Sequence, residues 1–168
     1  MAIQQKYPVY EGLIDLLASK GIVFGTAKPH TYTYFSVSGG SSQSSVLRLK
    51  SSEGIHNLDY KTRDVSSGDW VRCGTDISDP EQMRLILENI GSKPLKTFLK
   101  SFRTWENDFL RIDIVAVDDL FSVLEAKFLN ENAEKVKVFL ESLGFDTSKP
   151  DSRSVIEIYL DMNVGDDQ

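Results

Sequence analysis

From residue 45 to residue 63, charged and apolar side chains change places at almost every step. In "SVLRLKS", Val46, Arg48 and Lys50 fall on one side and Leu47 and Leu49 on the other. In "NLDYKTR", Asn57, Asp59, Lys61 and Arg63 oppose Leu58, Tyr60 and Thr62. The same alternation returns in "FLRIDIV", where Arg111 and Asp113 oppose Leu110, Ile112 and Ile114. Arg72 shares a face with Trp70, and Glu125 with Lys127. A period of two is that of a β-strand, whose side chains point alternately to opposite faces. Such strands demand an antiparallel sheet with one apolar face, and helices to cover that face.

Three segments supply helices. "PVYEGLIDLLASKG" carries Leu13, Leu16 and Leu17 at helical spacing and stops at Gly21. "SDPEQMRLILENIG" offers Asp79 as N-cap, Pro80 at the first position and Gly91 just past the end. "NENAEKVKVFLESLG" sets Val136, Phe139, Leu140 and Leu143 on one face and ends at Gly144. Capping and stop residues of this kind mark helix ends. The rest reads as strand: "HTYTYFSV", "SVLRLKS", "HNLDYKTRD", "GDWVRCGTDI", "PLKTFLKSFRTW", "FLRIDIVAV" and "SVIEIYLDM", with "SSEG" and "ENDF" as hairpin turns. "VSGGSSQSS" is expected to be a mobile loop. The expected class is α+β, one domain over residues 1–162, with residues 163–168 a frayed tail.

Composition narrows the function. The chain has 168 residues, a net charge of −6 and a pI near 4.9. Duplex nucleic acid and anionic membranes favour basic surfaces, so neither is expected as a partner. One cysteine, Cys73, forms no internal disulfide or cysteine-based zinc site and reads as a buried strand residue. His30 and His56 lack metal spacing, and Tyr32 and Tyr34 read as strand packing. Trp70 and Trp105 read as core or rim aromatics. "MAIQQKYPVY" has no apolar signal-peptide centre, so a cytoplasmic location is the default.

The charged faces are mostly cationic in a chain that is acidic overall. A solvated outer face is the common explanation of such a pattern. If the sheet instead curls with its helices outside, the charged face becomes a lumen. A lumen of arginine and lysine must hold water, carboxylates or a polyanion, because an uncompensated buried charge costs several kcal/mol. Arginine suits phosphate, since its planar fork donates two parallel hydrogen bonds.

The ordered set "VLRLK", "LDYKTR", "WVRCGTDISDPEQMRLILENIG", "KTFLKSFRTW" and "RIDIVAVDDLFSVLEAKF" resembles the CYTH family, the triphosphate tunnel proteins named for class IV adenylyl cyclase and thiamine triphosphatase. The resemblance runs from about Lys6 to Leu143. It implies an eight-stranded antiparallel β-barrel with helices outside, basic residues gripping a triphosphate or nucleotide, and glutamates holding Mg²⁺ or Mn²⁺. Family activities include triphosphate hydrolysis and cyclisation of ATP. Carried over, Lys6 matches the lysine of a first-strand ExExK, Arg48 and Lys50 the RLR pair, and Lys61 the lysine of LTyK. Arg72, Arg103 and Arg111 match the arginines of the next strand, of KxR and of RixLD. Glu125 matches the first glutamate of the final ExE.

The departures fall in the acidic half. Ala2 and Gln4 replace the first two glutamates, Gly74 stands among those expected near Arg72, and Lys127 replaces the last. Ser101 replaces the lysine of KxR, with Lys100 adjacent on the opposite face, and Val115 the aspartate of RixLD, with Asp113 on the same face. Asp113 and Glu125 are the metal candidates that remain. Lys127 reads as an ion-pair partner for either, or as a fixed cation in the metal's place. No catalytic residue is assigned. The chain is read as a binder of a triphosphate-containing ligand with weak or lost hydrolysis. The alternatives are an active metal-dependent triphosphatase or cyclase, and a fold relic closed by internal ion pairs.

Overall fold

A computed structural model describes residues 2–37 and 44–164. Most of the segment expected to be a mobile loop, and the last four residues of the expected tail, lie outside the described residues. The elements are β1 (Ala2–Pro8), α1 (Leu13–Ser19), β2 (Lys28–Phe35), β3 (Ser45–Ser52), β4 (Ile55–Arg63), β5 (Trp70–Ile77), α2 (Pro80–Asn89), β6 (Pro94–Glu106), β7 (Arg111–Val117), β8 (Phe121–Leu129), α3 (Ala133–Ser142) and α4 (Val155–Val164). The strands form an eight-stranded antiparallel sheet in the order β1-β8-β7-β6-β2-β3-β4-β5. No described helix is long and apolar enough to cross a membrane.

Much of the helix and turn chemistry is as the sequence dictates, although Asn132, which the sequence offers with Asn130 as the cap of α3, makes no side-chain cap bond. Asp79 accepts the Gln82 amide at 3.0 Å and starts α2. Gly21, Gly91 and Gly144 follow α1, α2 and α3 with φ of 79°, 95° and 85°. Glu53 and Gly54, both at positive φ, make the two-residue turn between β3 and β4. Asn107 accepts the Phe109 and Leu110 amides and closes the turn between β6 and β7.

The chain divides into two compact units, Met1–Pro29 with Lys100–Ser152, and His30–Leu99 with Arg153–Gln168. In the first, Tyr7, Ile112, Ile114, Leu124, Ala126 and Phe128 pack against Leu13 and Leu17 of α1 and Val136 and Leu140 of α3. The other face of these strands carries Lys6, Arg111, Asp113, Glu125 and Lys127, in register across β1, β8 and β7. In the second unit, Phe35, Leu47, Leu49, Leu58 and Ile77 pack on Met83 and Leu87 of α2. Arg48, Asp59, Lys61 and Arg72 occupy the opposite face.

Three expectations are corrected. "SVIEIYLDM" is helix, not strand, and α4 extends through Asn163 and Val164 into the expected tail. Its β-branched residues suit a strand, but Ser154 and Glu157 form a capping box: the Ser154 amide donates to Glu157 at 2.5 Å, and the Glu157 amide to the Ser154 hydroxyl at 3.3 Å. The four consecutive residues 155–158 are all buried, which strand alternation does not give. Nor does every helix cover an apolar sheet face. Tyr159 meets Phe98 edge-on at 5.2 Å, Phe98 meets Tyr34 at 5.6 Å, and Tyr34 is the register partner of Arg48, so α4 lies against the charged face of the second unit. Cys73 is exposed, because β5 ends the strand order and residues 71–76 are all open to solvent.

Candidate functional site

On the second unit's charged face, one aspartate joins two arginines. Asp59 is 1% exposed. Its Oδ2 accepts Arg48 Nε at 3.3 Å and Nη2 at 3.2 Å, and its Oδ1 accepts Arg72 Nε at 3.2 Å and Nη2 at 2.7 Å. Each guanidinium thus presents a fork to one carboxylate oxygen. Arg48 also lies over the Tyr32 ring, 4.9 Å from its centroid. Burial works against its charge, but Tyr34, Tyr32 and Asp59 more than offset this and keep it protonated.

Beside this pair a polar groove of about 430 Å³ is lined by Asn57, Asp59, Arg72, Gly74, Thr75 and Asp76. Asn57 donates to Asp76 there. Gly74 faces Asp59 across the ladder, and a Cβ at position 74 would come within 2.6 Å of Asp59 Oδ1 and 3.0 Å of the Leu58 carbonyl. A side chain at 74 would force the carboxylate at 59 to shift away from its arginines. On the same face Lys50 pairs in register with Asn57, and Lys61 with Arg72. Arg63 lies over the Trp70 ring at 4.5 Å and meets the buried Glu157 of α4 at 3.6 Å.

The first unit has a matching cluster. Asp113 is fully buried. Its Oδ1 accepts the Thr104 hydroxyl at 2.6 Å and Arg111 Nη2 at 3.1 Å, and its Oδ2 accepts Lys127 Nζ at 2.8 Å and Arg111 Nε at 3.1 Å. Lys127 also meets Glu125 at 3.4 Å, so it is an ion-pair partner of both candidate metal ligands. Lys6 faces Glu125 in the β1–β8 ladder.

Arg103 does not join this cluster. Its register partner is Ile114, which puts it on the helix-packed face of β6. Lys100, 3% exposed, and Thr104 point to the charged side instead. A shift of one residue in a strand reverses the face, and the KxR alignment is displaced by that one residue. Asp59, Thr104, Lys100 and Glu157 are the site residues that sequence reasoning missed. Asp59 had a visible signal, since "LDYK" stands where the pattern has LTyK.

Burial pushes the carboxyl of Asp113 up, yet hydrogen bonds from Lys127, Thr104 and Arg111 outweigh it and hold the group below its ordinary range. Burial likewise opposes ionisation of Asp59, and Arg72 and Arg48 overcome it. Each depressed carboxyl stabilises the fold above the unfolded aspartate pKa of about 4, and that contribution disappears as pH falls through the lower folded value. A melting-temperature profile should therefore be level between about pH 5 and 7 and fall below about pH 4. Asp113→Asn should flatten the acidic limb.

The CYTH resemblance implies a divalent cation between carboxylates. Here Lys127 Nζ stands between Asp113 and Glu125, and both oxygens of Asp113 already accept hydrogen bonds. Mg²⁺ and Mn²⁺ need open oxygen ligands. The residues present do not fit such an ion. Among the described residues, no group of three or more His, Cys, Asp or Glu side chains could hold a metal.

No family model and no curated protein matches the sequence. Solved structures match its fold. A candidate adenylate cyclase from Vibrio parahaemolyticus aligns at TM-score 0.68 and 15% identity, over 94% of this chain and 97% of that one. A candidate adenylate cyclase from Bacillus halodurans aligns at TM-score 0.68 and 16% identity, over 87% and 91%. The chain has the CYTH, or triphosphate tunnel, fold. A candidate adenylyl cyclase from Hippeastrum, described as having a dominant triphosphatase activity, aligns at TM-score 0.57 and 17% identity, over 84% and 85%. At these identities the CYTH likeness is one of fold.

Proposed function

We propose that the chain binds a phosphate-bearing anion, a triphosphate or nucleotide, on the cationic strand faces of this fold, without a metal-centred catalytic site. The observation that carries the reading is the charge of those faces. Arg48, Lys50, Lys61, Arg63 and Arg72 outnumber Asp59, Asp76 and the α4 residue Glu157 in the second unit, and Lys6, Lys100, Arg111 and Lys127 outnumber Glu106, Asp113 and Glu125 in the first. The whole chain carries −6, so this local excess is not the average of its composition. The names of the CYTH-fold neighbours, cyclase and triphosphatase, point to the same ligand class.

Arginine forks would hold non-bridging phosphate oxygens and lysines would add point charge. Asp59 and Asp113 are both engaged by cations, which makes them weak proton acceptors, and Lys127 would supply the fixed cation that a metal otherwise supplies. Hydrolysis or cyclisation of the ligand is accordingly slow or absent.

The test is a thermal-shift panel of tripolyphosphate, ATP and thiamine triphosphate, each with Mg²⁺, with Mn²⁺ and with neither. At one hundred times Kd a ligand stabilises by about 2.7 kcal/mol, or several degrees for a chain of this size. The shift is expected without metal, and it should weaken with salt and persist. Absence of any shift at millimolar ligand would contradict the reading. It would favour a fold kept by internal ion pairs, a second reading supported by the way Asp59 and Asp113 already neutralise their cations.

A further inference from the structure

We infer that Asp59 is a specificity-determining residue: a resident anion that fills a double-arginine seat, so that a third phosphate adds little to the chain's affinity for its ligand. The inference rests on the phosphate-binding reading above. Two arginines on neighbouring strands converge on one carboxylate, each through Nε and Nη2. That is the donor geometry by which guanidinium groups take phosphate oxygens. The seat is therefore built for an anion with at least two oxygens, and the protein supplies that anion itself.

Three features make Asp59 a built-in occupant of this seat. It is 1% exposed while its partner Arg72 remains 57% exposed, so Arg72 borders solvent while its Nε and Nη2 are engaged by Asp59. Gly74 leaves the room the carboxylate needs, since any Cβ there would strike Asp59 Oδ1. The groove of about 430 Å³ beside it is lined by polar groups and reaches both Asp59 and Arg72. A phosphate entering it would meet the negative charge of Asp59, with Asp76 on the same wall. Asp59 offsets one of the two charges of Arg48 and Arg72 and engages Nε and Nη2 of both, so a longer phosphate chain gains little from this seat. Two phosphates of a ligand are held by the other cations of the charged face, and a third adds little.

The experiment is titration calorimetry of the full chain with orthophosphate, pyrophosphate and tripolyphosphate in EDTA, for the wild type and Asp59→Asn. The wild type should bind pyrophosphate and tripolyphosphate with affinities within about threefold of each other, the difference expected when the added phosphate makes no new charge-assisted bond. Asp59→Asn should bind tripolyphosphate at least about tenfold tighter than the wild type does, because two freed guanidinium groups now take a phosphate. At equal ionic strength, tripolyphosphate should raise the melting temperature of Asp59→Asn by more than it raises that of the wild type; a purely structural aspartate would give equal shifts. A wild-type preference for tripolyphosphate above about tenfold overturns the inference even if the variant fails to fold. So does a folded Asp59→Asn whose tripolyphosphate affinity is unchanged or weaker. If the wild type binds no phosphate yet Asp59→Asn does, the seat stands and the phosphate-binding function of the natural chain falls.

Discussion

Asp113→Ala should lower the stability of the chain by about 3–5 kcal/mol, the usual cost of breaking a buried ion pair from one side. The lower end is the better expectation. Arg111 is 43% and Lys127 35% exposed, so both stranded cations can recover some hydration. The loss is still large because Thr104, Arg111 and Lys127 all direct donors at a carboxylate with no exposure of its own. In a chain of this length it amounts to roughly 10 °C in melting temperature. Chemical denaturation of the wild type and Asp113→Ala measures it. A change under about 1 kcal/mol would mean that the cluster is a solvated surface ion pair.

Gly74→Glu should cost about 2–3 kcal/mol, from overpacking against the Leu58 carbonyl and from a second negative charge beside Asp59. The family pattern has glutamates on this strand and threonine at the position of Asp59, so the two departures form a matched pair. Combined with Asp59→Thr, Gly74→Glu should be less harmful than the separate effects predict, with a coupling of about 1–3 kcal/mol in a double-mutant cycle. Additive effects would show that the residues at 59 and 74 are independent. The double variant also restores an acidic group without the obstructing aspartate, and Mn²⁺ affinity is the natural second readout.

The sheet was legible because alternation is a strong signal: the apolar partners of Arg48, Lys61 and Arg111 do face helices. The helix ends were legible because Asp79 and the three stop glycines act locally. One failure was local: "SVIEIYLDM" has strand-forming residues, but Ser154 and Glu157 spell a capping box that marks it as helix. The others depended on tertiary context. Burial of Cys73 presupposed a covered strand, and β5 lies at the end of the order. Arg103 and Lys100 are three residues apart and therefore on opposite faces, and nothing local fixes which face is charged. The basic residues of the site could be named from their pattern, but their pairing with Asp59 and Asp113 needed the register. Lys127 was legible as a partner for Asp113 or Glu125, and it meets both.

The central claim is that phosphate is held by side chains alone. It is tested most directly by calorimetric titration of tripolyphosphate and ATP into the wild-type chain in EDTA, repeated with excess Mn²⁺, with phosphate and cyclic-nucleotide release followed in the same samples. Binding in EDTA that Mn²⁺ changes by less than about threefold, with turnover well below about 1 per second, is the predicted result. Binding that appears only with Mn²⁺, or turnover at or above about 1 per second, would contradict it.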